Sequence, residues 1–277
     1  MNSITRYFSM TCLLIGGLVL AGATPAMAKG PGRAIGQPTP PPMVGPQFDW
    51  TEFDSLLARY VVDGRVNYAA WKAEGPARLN KVVAAAGAWA DYDSAMAPEK
   101  VAFLSNAYNA FVIQGILAAY PVKSVKDIPG FFDKTTHKIA GGDYTLDAIE
   151  KTLLKPLGRK ANDPYYHMAI VCGSLGCPPL RNRAYRSPTW AGDTMNNAQH
   201  FLADATKLEY DQENNVLKVS ELFNWYMSDF ESGDVTLPRW IGPHLSLGAA
   251  MKMSAAEPQV EYLPFDWALN DAPAGSK

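Results

Sequence analysis

The sequence predicts an α+β fold, in which a helix-rich single domain packs on a small antiparallel or mixed sheet. Three observations support this class. One long apolar segment, residues 98–120, is bounded by helix-limiting residues. Shorter segments with apolar residues at helical spacing outnumber the candidate strands. The strands occur as hairpins or singly, without the regular strand–helix alternation that characterises a doubly wound parallel sheet.

The helices are predicted from apolar spacing and from the residues at their ends. Residues 48–61 carry apolar side chains at helical intervals and open the domain. Pro98 suits a first helical turn and Glu99 favours the positive end of the helix dipole. Pro121 then stops this helix, which is apolar nearly all round and is therefore predicted to be central. Shorter helices are predicted at 146–154, 195–207 and 221–230.

The strands are predicted from short apolar runs and turn residues. A hairpin is expected over 137–146, around Gly141 and Gly142, and a second over 208–220, around residues 213–215. Residues 166–172 form a compact apolar run that predicts a buried strand. Residues 260–270 are expected to form a final strand and a turn.

The N-terminal segment has the features of an export signal. Arg6 precedes an apolar run at 12–23, and Ala26-Met27-Ala28 provides the small residues of a cleavage site. We expect residues 1–28 to be a cleaved signal peptide, with an uncleaved anchor as the alternative, and the protein to be periplasmic or secreted. No later segment is expected to cross a membrane, so no membrane insertion is expected after cleavage.

The rest of the chain divides into a linker, one domain and a tail. Residues 29–47 are rich in Pro and Gly and predict a disordered or polyproline-like linker. Residues 48–271 are expected to form the globular domain, and 272–277 a loose tail. The formal net charge is −2, and it becomes −3 when residues 1–28 with Arg6 are removed, so there is no electrostatic reason to expect a nucleic acid as partner. The expected partner is an unknown small molecule or peptide. No phosphate-binding loop, serine nucleophile elbow or H-E-x-x-H motif is present, and no cofactor is expected.

Five segments, NAYNAF, LDAIE, HMAIVCGSLGCPPL, FNWYMSDF and FDWALN, occur in the order found in the domain-of-unknown-function family 547. The chain resembles this family from about residue 50 to 270. Because the family is largely uncharacterised, the resemblance implies a fold and a set of special positions but no reaction. One position departs from the pattern, since Lys151 stands where the family often has a histidine. The matching positions are Asn106, Tyr108, Asn109, Glu150, His167, Cys172, Cys177, Pro178, Trp225, Tyr226 and Asp229.

The segment around the two cysteines predicts either a catalytic thiol or a disulfide. In a regular strand His167 points away from Cys172, whereas the glycine-containing loop lets Cys177 bend back towards it. Cys177 would then be the nucleophile and His167 the base of a thiol hydrolase or acyl transferase, with Glu150 or Asn109 orienting the histidine. The alternative is a Cys172–Cys177 disulfide, which an oxidising compartment favours. A metal site and two buried free thiols also stay open.

The polar edge of the long helix has two interpretations as well. Ser105, Asn106 and Asn109 either hold the cysteine loop in place or face a polar cleft, where an asparagine would orient a histidine or donate to an oxyanion. In the non-catalytic interpretation, the bridged loop shapes a binding site beside Asn106, Tyr108 and Asn109. Glu150 is either a surface acid or the carboxylate that orients His167. Trp225, Tyr226 and Asp229 are expected to form an aromatic core with a capped acid.

Overall fold

Helix α4 (Ala97–Ala119) lies at the centre of the fold, and the prediction of a central helix is confirmed. Most of its side chains are buried. The computed structural model describes residues 45–161, 163–231, 235–273 and 275, so the predicted signal peptide and most of the predicted linker lie outside the described residues. Among the described residues, α4 is the one helix long and apolar enough to cross a bilayer, which corrects the expectation that no segment after the signal peptide would be. It is the buried core helix of this domain.

Three helices precede α4 and pack around it. Helix α1 (Thr51–Tyr60) confirms the predicted opening helix and leads into a short hairpin. Aromatic rings anchor the start of the domain, since Phe48 contacts Trp50, Trp89 and Phe103 with ring centroids 4.4–5.6 Å apart. The remaining elements here are β1 (Val61–Val62), β2 (Arg65–Val66), α2 (Tyr68–Glu74) and α3 (Ala77–Gly87).

The first predicted hairpin is confirmed as β3 (Thr136–Ile139) and β4 (Gly142–Thr145). Ala140 and Gly141 join the strands with positive φ angles of 52° and 77°, as a type I′ turn requires. A continuous helical run follows, with α5 (Leu146–Ala148), a π-helical stretch (Ile149–Leu154) and α6 (Lys155–Ala161). Such π-helical stretches are rare and frequently occur at functional sites.

The predicted buried strand at 166–172 is wrong. Residues Pro164–Met168 form a 3₁₀-helix, and the chain then continues without strand pairing. Asp163 starts this turn, because its carboxylate accepts a hydrogen bond from the Tyr165 amide at 2.9 Å. Further on, the side chain of Asn109 pairs with the backbone at Ala169 and Val171, so the apolar run needs no neighbouring strand.

The second half of the chain builds a mixed three-stranded sheet. Strands β5 (Leu208–Asp211) and β6 (Val216–Ser220) form the second predicted hairpin, and β7 (Gln259–Leu263) pairs parallel to β6. The described residues therefore form an α+β fold, as predicted. The predicted helix at 221–230 is interrupted at Tyr226. The other helices are α7 (Trp190–Leu202), α8 (Glu221–Trp225), α9 (Met227–Phe230), α10 (Leu237–Ile241) and α11 (Leu247–Ala255).

After β7 the chain returns to the loop that contains the cysteines. The amides of Leu175 and Gly176 donate to the carbonyls of Ala268 and Asp266, at 2.8 and 2.7 Å. The Asn270 amide donates to the Gly173 carbonyl at 2.9 Å. The loop is thus held by backbone hydrogen bonds to residues nearly one hundred positions away in the sequence.

Candidate functional site

The loop between the two cysteines is closed covalently. The Sγ atoms of Cys172 and Cys177 lie 2.04 Å apart, the distance of a disulfide bond, as the bridged alternative predicts. We call residues 172–177 the bridged loop. Gly173 adopts a φ of 84°, and a Cβ there would lie 2.5 Å from Ile116 of α4. Only glycine therefore allows the loop to pack this closely on the central helix.

The asparagines of α4 hold the chain beside this loop. Asn109 donates to the Ala169 carbonyl and accepts from the Val171 amide, both at 2.8 Å. Asn106 does the same for Tyr185, donating to its carbonyl at 2.9 Å and accepting from its amide at 2.8 Å. Ser105 donates to the carbonyl of Val101 within the helix. Asn109 thus holds the segment that leads into the bridged loop, as the structural interpretation of the polar edge expects. Asn106 holds Tyr185 instead, and Ser105 bonds only within its own helix.

A cleft of about 810 Å³ lies on one side of the bridged loop, and we call it the apolar cleft. Both cysteines and Pro178 line it. Its titratable or polar lining residues include Tyr108, Glu150, His167 and Tyr226, which are distant in sequence. Its apolar walls come from Ile128, Phe131, Phe132, Ile170, Leu222, Trp225, Phe265 and Trp267.

Glu150 is the buried acid of the apolar cleft. It lies in the π-helical stretch, and only 6% of its surface is exposed. Burial raises the pKa of its carboxyl, and a hydrogen bond from the Tyr226 hydroxyl opposes this only in part. Its Oε1 atom is buried and has no hydrogen-bond partner among the described residues. An unpaired oxygen in such a position is costly, so a ligand donor would satisfy it.

His167 is paired with Asp229 rather than with Glu150 or Asn109. Its Nε2 lies 3.1 Å from Asp229 Oδ2, and both side chains are buried. The ring is packed between Tyr166 and Tyr226, at centroid distances of 4.0 and 4.2 Å. Burial lowers the pKa of His167, although the hydrogen bond to Asp229 acts in the opposite direction. A neutral ring donates from Nε2 to the carboxylate, which leaves Nδ1 as its acceptor nitrogen.

Asp229 is a buried carboxylate that contacts His167 and two cations. Burial alone would raise its pKa, but hydrogen bonds from His167, Lys155, Arg159 and Tyr166 outweigh burial and hold the pKa well below its usual range. The Lys155 and Arg159 nitrogens lie 3.0 and 2.7 Å from its oxygens. The pairing of His167 with Asp229 was not predicted from the sequence. The i, i+4 spacing of Lys155 and Arg159 on one helix was the available signal for a buried acid opposite them.

Three further predicted positions need correction or placement. Cys172 was expected to point away from His167, but this followed from the wrong strand, and both residues line the apolar cleft. Trp225 was expected in an aromatic core, yet it is 46% exposed and contacts Phe265 at the edge of the cleft. Lys151 forms an exposed ion pair with Asp147 at 2.7 Å.

Comparison with known proteins gives a family similarity over part of the chain but no activity. Within the described residues, no group of three or more histidine, cysteine or acidic side chains is placed to hold a metal ion. No curated protein and no solved structure matched the chain. A family model described as a protein of unknown function, DUF547, matches residues 92–202, which include α4, Glu150, His167 and the bridged loop. Residues 92–202 are therefore similar to the DUF547 family, the family that the sequence motifs also indicate.

Proposed function

We propose that this chain is an exported, non-catalytic binding domain, and that the apolar cleft holds a small molecule or a peptide side chain. The observation that carries the proposal is the buried, unpartnered Oε1 of Glu150 in a cleft with aromatic walls. The ligand would combine an aromatic or aliphatic group with a neutral hydrogen-bond donor, such as an amide or hydroxyl. The donor would pair with Glu150 and the apolar group would lie against Trp225 and Phe265.

Charge supports a neutral rather than an anionic ligand. The cleft is lined by the acids Glu150, Asp133 and Asp147 and by the single cation Lys126. The Lys126 ammonium already lies over the Trp267 ring, 4.1 Å from its centroid. An anionic ligand would therefore meet an excess of negative charge.

The state of the predicted catalytic residues supports binding over catalysis. A disulfide-bonded Cys177 has no thiolate to act as a nucleophile. Both ends of the Asn109 amide bond backbone and Asn109 does not line the apolar cleft, while His167 is oriented by Asp229 instead. Export would keep the bridge oxidised, because disulfides persist outside the cytoplasm.

A thiol hydrolase or acyl transferase remains the second candidate, and one observation favours it. His167, Glu150 and both cysteines line the same cleft, so a reductant that opened the bridge would place a thiol near a histidine oriented by Asp229. Alkylation of the folded protein, with and without a mild reductant, separates the candidates. Rapid labelling of Cys177 that slows in His167→Ala supports the enzyme, whereas labelling only after unfolding and reduction supports the binding domain.

Ligand-observed NMR with a matched probe pair tests the binding proposal. Indole-3-acetamide and indole-3-acetate differ only in the group that would meet Glu150, and we expect the amide to bind more tightly. Glu150→Leu should weaken amide binding about tenfold, the effect of one lost hydrogen bond. Leu247→Ala is the control, because this residue is 78% exposed and does not line the cleft. Equal binding of both probes to all proteins would refute the proposal.

Mass spectrometry of the cell-envelope fraction tests the export part separately. The predicted mature chain begins at Lys29, directly after the Ala26-Met27-Ala28 site. Intact residues 1–28 on protein recovered from that fraction would contradict the cleavage, and recovery from the cytoplasm alone would contradict export.

A further inference from the structure

A second cleft, of about 860 Å³, borders the bridged loop, and we call it the polar cleft. Cys177 and Pro178 line both clefts, but Ser174 and Arg181 line only this one. The opposite wall comes from α7, which contributes Asn196 among other polar residues. The turn between β1 and β2 closes a further side with Asp63, Gly64 and Arg65.

Two buried polar groups in this cleft lack partners among the described residues. Ser174 is 2% exposed, and its hydroxyl makes no hydrogen bond. Arg181 uses Nη2 to bond Asp193 at 2.6 Å, while its buried Nη1 is unpaired. Buried side-chain donors are nearly always satisfied in folded proteins. Two such groups in one cleft therefore indicate an absent ligand or bound water that accepts from them.

The charges of the polar cleft are nearly balanced. Its ionised lining residues are Asp63, Asp193, Asp204, Asp266, Arg65, Arg181 and Lys207. An anionic ligand would have to compete with Asp193 for the Arg181 guanidinium. A neutral ligand with many hydroxyl groups faces no such competition, because each hydroxyl both donates and accepts. The asparagines Asn182 and Asn196 supply matching donors and acceptors.

We propose that the polar cleft binds a neutral polyhydroxylated ligand of the saccharide class. Ser174 and Arg181 donate to ligand hydroxyl oxygens, and Asp63, Asn182 and Asn196 hydrogen-bond the outward-facing hydroxyl groups. Pro179, which is partly exposed, also lines the cleft and provides apolar surface for the carbon-bound hydrogens of a sugar ring. Although Cys177 and Pro178 line both clefts, this proposal does not depend on the function proposed for the apolar cleft.

Backbone-amide NMR of the mature chain tests this assignment with defined probes. Maltotriose, cellotriose and triacetylchitotriose serve as neutral probes, and trigalacturonate and inorganic phosphate as anionic ones. We expect at least one neutral trisaccharide to shift the resonances of Ser174, Arg181 and Asn196 at millimolar concentration. No such shift with any neutral probe overturns the proposal, and so does tighter binding of an anionic probe.

Ser174→Ala tests the role of the unpaired hydroxyl. Because this buried hydroxyl makes no hydrogen bond among the described residues, its removal should leave the melting temperature unchanged or slightly higher, while trisaccharide affinity falls about tenfold. Ser254→Ala, a serine outside the cleft, is the matched control. If Ser174→Ala proves unstable, the exposed Asn196→Ala variant replaces it, with the same expected loss. Full affinity in the folded variant overturns the proposal.

Discussion

The apolar cleft and the polar cleft share Cys177 and Pro178, yet the walls opposite these residues differ. In the apolar cleft, aromatic side chains such as Trp225 and Phe265 surround a single buried acid, Glu150. In the polar cleft, α7 and the β1–β2 turn present amides and paired charges. One short loop thus borders two chemically different sites, and the elements packed against it determine what each site binds.

The largest expected effect comes from a residue that supports both clefts. Asn109→Leu removes the partners of the buried Ala169 carbonyl and Val171 amide, at a cost of about 1–3 kcal/mol each. We expect a large fall in the free energy of unfolding, measured by urea denaturation, and weaker binding in both clefts. Gln114→Leu on the same helix is the control, because its amide bonds Asn80 at the surface. Equal stability of the two variants would show that Asn109 does not hold this segment.

The next effect comes from the bridge that the two clefts share. Cys172→Ser and Cys177→Ser should each lower the free energy of unfolding by about 2 kcal/mol, because the crosslink restricts the unfolded chain. Each variant should also expose one free thiol, counted with a thiol reagent. A loss of binding in only one cleft would show that the bridge shapes that wall alone. Unequal destabilisation by the two variants would point to a separate role for one cysteine.

Much of the fold, but little of the site, could be predicted from sequence. The limits of α4 were predictable because they depend on neighbouring residues, Pro98 and Glu99 at its start and Pro121 at its end. The β3–β4 hairpin was predictable for the same reason, from Gly141 in its turn. The strand at 166–172 was predicted wrongly, because a side chain of α4 supplies the hydrogen bonds that a strand would have needed. Apolar periodicity contains no information about such a distant amide.

The pairing of residues across the clefts depends on tertiary packing. His167 and Asp229 are 62 positions apart and meet only because α9 packs beside the 3₁₀-helix. Both residues lie in the sequence motifs, but the motifs do not show whether Asp229 or Glu150 contacts His167. The polar cleft was not predicted from the sequence. The burial of the Ser174 hydroxyl and of Arg181 Nη1 without hydrogen-bond partners among the described residues results from folding and leaves no pattern in the sequence.

The pH dependence of stability should distinguish the two acids near the apolar cleft. The pKa of Asp229 is lowered by folding, so its contribution is present above the unfolded value of 3.8 and is lost as pH falls below it. The pKa of Glu150 is raised by folding, so its contribution is full below 4.5 and is lost as pH rises through the folded value.

Thermal unfolding from acidic to mildly alkaline pH, with one variant for each acid, measures these opposite slopes. Glu150→Gln should melt higher than wild type at neutral pH and close to it at pH values below 4.5. Asp229→Asn should be destabilised at neutral pH and should lose less stability on acidification. Parallel curves for both variants and wild type would mean that neither acid titrates differently in the folded chain.

The smallest expected effect concerns Lys151, which lines neither cleft. Its ion pair with Asp147 is exposed, and such pairs contribute only about 0–1 kcal/mol. Lys151→His introduces the histidine that the family resemblance leads us to expect at this position. The changes in unfolding free energy and in binding to either cleft should be near the limit of measurement. The neighbouring Glu150→Gln is the contrasting variant, since it changes a cleft residue. A marked gain of ligand binding in Lys151→His would show that position 151 contributes to binding in the apolar cleft, although Lys151 does not line it.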